Sequence, residues 1–125
     1  MRLQIGKPEL SIVNDRAKLE SRITYGDQSW TLFYEADAQY AKAFVTERCD
    51  AFLVPLLPKA MMEARRDADL EIVCEAPVTQ SLYHKLVNYY IPILCDCISY
   101  YEPIRITAQT DDTALESMNA VGTGI

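Results

Sequence analysis

The chain has 125 residues, half of them hydrophobic, and its 18 acidic residues outnumber its 12 basic residues to give a net charge of −6. This length fits one domain that buries about two-thirds of its unfolded surface, so a core can form without disulfides or a metal. An acidic surface repels nucleic-acid phosphates and anionic lipid headgroups, so neither nucleic acid nor a membrane is an expected partner.

The amino-terminal third predicts β-structure. Apolar and polar residues alternate over residues 18–25, and residues 30–35 are rich in aromatics, which suit a pleated surface. Gly26-Asp27 lies between them, and glycine takes positive φ freely, so we predict a hairpin. Two shorter strand candidates and a turn pair precede it: residues 3–5, residues 10–13 and Asn14-Asp15.

The middle of the chain predicts a bent helix followed by a strand. The helix begins after Asp37, a residue type that caps helices, and continues to residues 65–66. Pro55 and Pro58 each remove a backbone donor and crowd the preceding turn, so we expect two helical pieces with a bend. Residues 70–75 then predict a buried strand.

A second helix is predicted after Thr79, which we interpret as its N-cap. Three- and four-residue spacing gives this helix a broad apolar stripe of Leu82, Leu86, Tyr90, Ile93, Leu94 and Cys97. Pro92 is expected to kink it near Asn88, whose carbonyl loses its partner. Residues 104–108 predict a last strand, which a right-handed crossover would join if it is parallel to residues 70–75.

This order of elements predicts an α/β (α+β) fold. We expect a two-layer sandwich in which a small mixed sheet, opened by an N-terminal β-hairpin, carries two main helices on one face. Residues 111–119 are polar and weakly helical, which is typical of a connector. The chain then ends on AVGTGI, residues 120–125, which predicts the start of a buried strand.

The four cysteines, at positions 49, 74, 95 and 97, are interpreted as reduced, buried thiols. Cys95 and Cys97 form a CxC pair, but no second pair or histidine cluster accompanies it, as zinc sites usually require. His84 is the single histidine and a candidate base. A small enzyme that uses Cys49 or Cys74 with His84 stays open as the least favoured alternative.

Other polar and aromatic residues have ordinary structural interpretations. Asp67 with Asp69, and Asp111 with Asp112, do not match a calcium loop, so we interpret them as solvated charges. Residues 65–66, both arginine, could hold a phosphate, but at a helix end they also complement the helix dipole, which we favour.

The tyrosine doublets at positions 89–90 and 100–101 are interpreted as packing or subunit-interface residues rather than as a surface on which a ligand stacks. The sequence therefore predicts no catalytic, cofactor-binding or metal-ligating residue in this chain.

Five segments together resemble the amino-terminal region of a group of PP-loop proteins: ERCDAF (47–52), LLPKAM (56–61), VTQSLY (78–83), YIP (90–92) and AVGTGI (120–125). That group is similar to the adenine nucleotide α-hydrolases, the N-type ATP pyrophosphatases, which include 7-cyano-7-deazaguanine synthases. The resemblance spans most of residues 40–125 and consists of apolar segments rather than a catalytic motif. It implies that a Ser-Gly-Gly-x-Asp-Ser loop, which holds ATP phosphates at a helix amino end, follows Ile125.

On this resemblance, residues 1–114 are an accessory α/β domain, and residues 115–125 are a connector and the truncated lead-in strand of a nucleotide-binding domain. The accessory domain would dock on that C-terminal domain of the same polypeptide, form a homo-oligomer, or shape a substrate pocket. ATP and magnesium are implied for the following domain and not for this chain. A free-standing dimeric interaction module, built on the aromatic hairpin at residues 30–34, is the alternative.

Two further expectations concern location and the chain end. The amino terminus, MRLQIGKPEL, lacks the apolar core of a signal peptide, and residues 87–98 are too short to span a bilayer, so we expect a cytoplasmic protein. We also expect AVGTGI to be a cut rather than a natural end. Residues 115–125 would then be poorly ordered or borrowed by a neighbouring molecule.

Overall fold

The computed structural model describes residues 1–111, which contain a six-stranded mixed sheet, a separate pair of short strands, and helices on one sheet face. The strands are β1 (Arg2–Ile5), β2 (Glu9–Val13), β3 (Arg16–Tyr25), β4 (Gln28–Asp37), β5 (Glu71–Cys74), β6 (Val78–Thr79), β7 (Arg105–Thr107) and β8 (Thr110–Asp111). The helices are a 3₁₀ helix (Ala38–Ala43), α1 (Asp50–Glu63), α2 (Gln80–Lys85), a π-helical segment (Leu86–Tyr90) and α3 (Ile91–Cys97). The predicted α/β sandwich is confirmed, whereas the predictions for residues 115–125 lie outside the described residues.

Two tight turns form the antiparallel half of the sheet. Asn14 and Asp15 take φ values of 53° and 62°, so a type I′ turn joins β2 to β3. Gly26, at φ 59°, starts the turn that joins β3 to β4. Both turns were predicted, because residue types that tolerate positive φ are a local signal.

The sheet is organised around β3. One edge of β3 pairs with β4 along its whole length, and the other edge pairs first with β2 and then with β1. β1 pairs in parallel with β5, and β5 pairs in parallel with β7, so the sheet is mixed. The parallel arrangement considered for residues 70–75 and 104–108 is confirmed.

The core lies between the inner face of the sheet and the helices. Alternate residues of β1, β3 and β5 are buried there, because successive side chains of a strand point to opposite faces. The largest contribution of a single helix comes from α1, which buries Phe52, Leu53, Leu56, Leu57, Ala60 and Met61. Among residues 1–111, no helix is long and apolar enough to cross a membrane.

The first predicted helix differs from expectation at its start. Residues 38–43 form a 3₁₀ helix, and the interruption falls at residues 44–49, whereas Pro55 and Pro58 both lie inside the continuous helix α1. Asp37 precedes the 3₁₀ helix but makes no capping hydrogen bond. Its carboxylate instead accepts a 2.7 Å hydrogen bond from the Arg16 guanidinium, because strand pairing places these two residues opposite each other.

Tyr34 compensates for the proline at position 55. A proline removes the N–H that would bond the carbonyl four residues earlier, which for Pro55 is the carbonyl of Ala51. The Tyr34 hydroxyl donates a 2.6 Å hydrogen bond to this carbonyl. β4 and α1 are therefore joined at the point where the helix lacks its own bond.

We expect Tyr34→Phe to lower the free energy of unfolding by about 0.5–1.5 kcal/mol, because the Ala51 carbonyl loses its donor. Urea denaturation measures this loss, with Tyr40→Phe as the matched control at another exposed tyrosine. In a Pro55→Ala background the loss should shrink, because an alanine at this position supplies the missing N–H. An equal loss in both backgrounds would contradict the compensating role.

The second predicted helix is irregular at the place where Pro92 predicted a kink. Asn88, where a kink was predicted, lies in the π-helical segment, and Pro92 lies at the second residue of α3, so the helix is irregular at the predicted place. The predicted apolar stripe is only partly buried, because the wider π turn changes the register of the residues that follow. Leu86 is buried and Leu82 and Leu94 are half-buried, but Tyr90, Ile93 and Cys97 are exposed, and Ile91 is buried instead.

Candidate functional site

A buried arginine lies where α1, α2 and β8 meet. The Arg48 side chain is 2% exposed, and its Nη2 lies 3.3 Å from Oδ2 of Asp111 in β8. Its Nη1 donates a 2.9 Å hydrogen bond to Oγ1 of Thr79, the residue that precedes α2. A guanidinium is costly in an apolar interior unless charged and polar groups surround it, so this arginine holds these elements together.

Asp50, the first residue of α1, extends the same network. Its Oδ1 accepts a 2.9 Å hydrogen bond from the Thr79 amide, and its Oδ2 accepts a hydrogen bond from the Thr79 hydroxyl. Thr79 therefore makes no side-chain capping bond to α2, contrary to prediction. We call Arg48, Asp50, Thr79 and Asp111 the Arg48 cluster.

A cleft of about 310 Å³ opens beside the Arg48 cluster. It is lined by Leu19, Tyr34, Ala43, Phe44, Val45, Arg48, Asp50 and Ala51. The walls are mostly apolar, with charged groups from the cluster at one side, which is the general character of small-ligand clefts. This cleft and the Arg48 cluster are the candidate functional site.

Two thiols lie next to the cluster. Cys49 occupies the N-cap position of α1 and Cys74 ends β5, and both are buried. The Cys49 thiol hydrogen-bonds with the Cys74 thiol and also with the backbone of Ala76. The bond with Cys74 lowers the pKa of Cys49 against the opposing effect of burial, whereas the same bond together with burial raises the pKa of Cys74.

The other cysteines and the histidine lie elsewhere. Cys95 is half-buried, so burial raises the pKa of its thiol, and Cys97 is exposed near the end of α3, contrary to the prediction of a buried thiol. His84 is exposed on α2, where its Nδ1 lies 3.1 Å from Nδ2 of Asn88. In the described part of the chain, no hydrogen bond joins His84 to Cys49 or Cys74.

Two of the carboxylates that were predicted to be solvated form ion pairs instead. Asp67 Oδ2 lies 3.2 Å from the amino-terminal ammonium of Met1, and Asp111 pairs with Arg48, so the interpretation is wrong for both. Asp69 is exposed, and Asp112 lies outside the described residues. No group of three or more His, Cys, Asp or Glu within residues 1–111 is placed to hold a metal ion.

The sequence interpretation missed Arg48 and Asp50 as site residues. The available signal was their position in ERCDAF, where charged residues lie within one helical turn or so of the buried Cys49 and Phe52. The structure joins this segment to VTQSLY through Thr79, so two of the segments that carry the resemblance meet at one site. No protein-family model matches the chain, and searches of curated proteins and of solved structures found no match.

Proposed function

We propose that this chain is a non-catalytic, amino-terminal accessory domain that positions an ATP-binding PP-loop domain carried by the same polypeptide. The observation that carries the proposal is the attachment of β8, the last described strand, to the domain body through the Arg48 cluster. The resemblance of the five segments to PP-loop proteins supplies the identity of the partner domain.

The last described strand, β8, is held at several points. β8 pairs in parallel with β6, and the Val78 amide donates a 2.8 Å hydrogen bond to the Gln109 carbonyl. The buried Arg48 then pairs with Asp111. A domain that continues from a strand held in this way starts from a defined position and direction, as a positioning role requires.

An exposed apolar surface supports the docking role. Val87, Tyr89, Tyr90 and Ile93, which we call the apolar patch, are 39–59% exposed. The patch is on the helical run that begins with α2, and α2 lies against β8. Tyrosine and other aromatic residues are enriched in the buried centres of interfaces. The domain attached beyond β8 is therefore the occupant assigned to this surface.

The contacts of the aromatic hairpin support the alternative, a dimer built on this hairpin, less well than the apolar patch supports docking. The Tyr34 ring packs against Phe52 of α1, with ring centroids 5.4 Å apart, and Trp30 lies 5.7 Å from the Lys59 ammonium. These two rings are thus engaged with α1, and Phe33, 55% exposed, is the hairpin aromatic most open to solvent. Tyr34 is also 42% exposed, but a hairpin with one ring that makes no contact with α1 offers little area for a stable dimer.

The proposal assigns ATP and magnesium to the following domain and places the protein in the cytoplasm. The four cysteines are free, which suits that reducing compartment.

The gene sequence beyond codon 125 tests the proposed identity of the following domain directly. We expect a Ser-Gly-Gly-x-Asp-Ser-like loop within a few codons, and a stop codon or the lack of such a loop would overturn the proposal.

Docking is tested with the full polypeptide that this gene encodes. We expect Ile93→Glu to speed proteolytic cleavage within residues 115–125, the predicted connector and lead-in strand, by about tenfold, because a buried charge in the centre of an interface weakens docking strongly. Limited proteolysis with mass spectrometry measures the rate. Phe33→Glu, an equally exposed apolar position on β4, is the control and should leave the rate unchanged. Equal rates for the two variants would contradict docking through the apolar patch.

A further inference from the structure

Two cysteines that are well separated in sequence meet in the core. Cys49 is 0% and Cys74 9% exposed, both belong to the same buried core cluster, and the two thiols interact strongly enough to shift each other's pKa. Cys49 is also held through its backbone, because its amide donates a 3.0 Å hydrogen bond to the Pro77 carbonyl and its carbonyl accepts the amides of Phe52 and Leu53. The helix start and the strand end that carry the thiols are therefore fixed next to each other.

The two thiols are chemically unequal. Cys49 lies at the amino end of the 14-residue helix α1, where the helix dipole favours negative charge, and its sulfur interacts with the Ala76 backbone. Its hydrogen bond with Cys74 lowers the pKa of Cys49, whereas the pKa of Cys74 is raised by that bond and by burial. The position of Cys49 at the start of α1 therefore makes it the more acidic thiol of the pair, whereas Cys74 ends a strand and has no helix dipole to stabilise a thiolate.

We propose that Cys49 and Cys74 are a reversible dithiol–disulfide pair that hydrogen peroxide oxidises, with Cys49 as the attacking thiol and Cys74 as the resolving thiol. A small neutral oxidant suits a buried site. The residues on both sides of Cys49, Arg48 and Asp50, line the cleft of about 310 Å³, and we assign this cleft as the approach of the peroxide. This inference concerns residues of the domain body and does not depend on the proposed partner domain.

The reaction balances with one peroxide for each pair. The Cys49 thiolate attacks a peroxide oxygen and the O–O bond breaks, which leaves a sulfenic acid on Cys49 and a hydroxide that takes up the proton released by Cys49. The Cys74 sulfur then attacks the Cys49 sulfur, the S–O bond breaks, and the Cys74 proton leaves with the hydroxyl group as water. Two thiols and one hydrogen peroxide thus give one disulfide and two waters.

The disulfide would join the start of α1 to the end of β5, directly beside the Arg48 cluster. In the folded chain this crosslink closes a loop that contains all of α1. It therefore restricts the unfolded state, and the oxidised protein should unfold at a higher urea concentration than the reduced protein.

The test uses the full chain with Cys95→Ser and Cys97→Ser, so that two thiols remain. After native-state treatment with hydrogen peroxide, we expect the mass to fall by about 2 Da, the mass of two hydrogens, and both thiols to become unreactive in denaturant. Peptide mapping should find Cys49 linked to Cys74, and dithiothreitol should restore both thiols. An unchanged mass, or a disulfide between two chains, would overturn the proposal.

Single substitutions in the same background test the order of attack. With Cys74→Ser, peroxide should leave a sulfenic acid on Cys49 that dimedone traps, whereas with Cys49→Ser, Cys74 should stay unmodified under the same conditions. Equal labelling of the two variants would refute the assigned roles. Peptide mapping of the oxidised wild-type chain provides a test that does not depend on the folding of a variant. A reduced Cys74 together with an over-oxidised Cys49 in that chain would also refute the proposed disulfide pair.

Discussion

Replacing Arg48 with methionine is expected to lower the free energy of unfolding by about 2–4 kcal/mol. Methionine keeps much of the buried length of the side chain but removes the 2.9 Å hydrogen bond to Thr79 and the 3.3 Å contact with Asp111. The Asp111 side chain is 39% exposed, so it can turn toward water. The loss should therefore stay below the full cost of a buried charge with no partner.

Urea denaturation with linear extrapolation measures this change, and Arg16→Met is the matched control. Arg16 also pairs with two carboxylates, those of Glu35 and Asp37, but its side chain is 47% exposed. Solvent screens such pairs, so we expect the control to unfold at almost the wild-type urea concentration. If both variants lose the same stability, the Arg48 cluster does not stabilise the fold in the way its burial indicates.

The same substitution also bears on function. In the full polypeptide, loss of the contact with Asp111 should free β8 and speed cleavage of the connector, as we also expect for Ile93→Glu. If the two substitutions act independently, their effects on the cleavage rate should multiply in the combined variant.

Phe52→Ala is expected to cost about 3–5 kcal/mol, the range for removal of a buried aromatic ring. Phe52 is fully buried among the side chains of α1 and the sheet, and its ring packs against Tyr34 of β4. Alanine leaves a cavity that the surrounding strands can fill only partly, because they are held in register by backbone hydrogen bonds.

Thermal or urea unfolding measures the loss, and Phe33→Ala provides the control with the same change in volume. Phe33 is 55% exposed on the opposite face of β4, where the Lys18 ammonium lies 4.5 Å from its ring centroid. We expect a loss below about 1 kcal/mol for that variant, from the weak cation–π contact and a small change in buried area. Similar losses at both positions would mean that the core does not lie where the burial places it.

The features that sequence interpretation predicted well are those set by neighbouring residues. Asn14-Asp15 and Gly26 carry the backbone freedom that tight turns need, so both turns were identified from the residue types alone, and the second was also predicted to close a hairpin. Pro92 similarly marked the helical irregularity, because a proline removes one specific backbone bond wherever it lies. At Pro55 the same rule suggested a bend, but the Tyr34 hydroxyl supplies the Ala51 carbonyl with another donor and α1 continues.

Local residue patterns therefore predicted the turns, the strands of the main sheet and the approximate helices, and from their order the two-layer α/β class, but they did not predict β6 or β8. Which distant side chains meet depends on how these elements pack. Thr79 has the residue type of an N-cap, yet its hydroxyl bonds Asp50 because the start of α1 lies beside it. Arg48 with Asp111, and Cys49 with Cys74, are likewise brought together by the packing of separate elements. Backbone conformation depends mainly on nearby residues, whereas the partner of a buried polar group depends on which element packs against it.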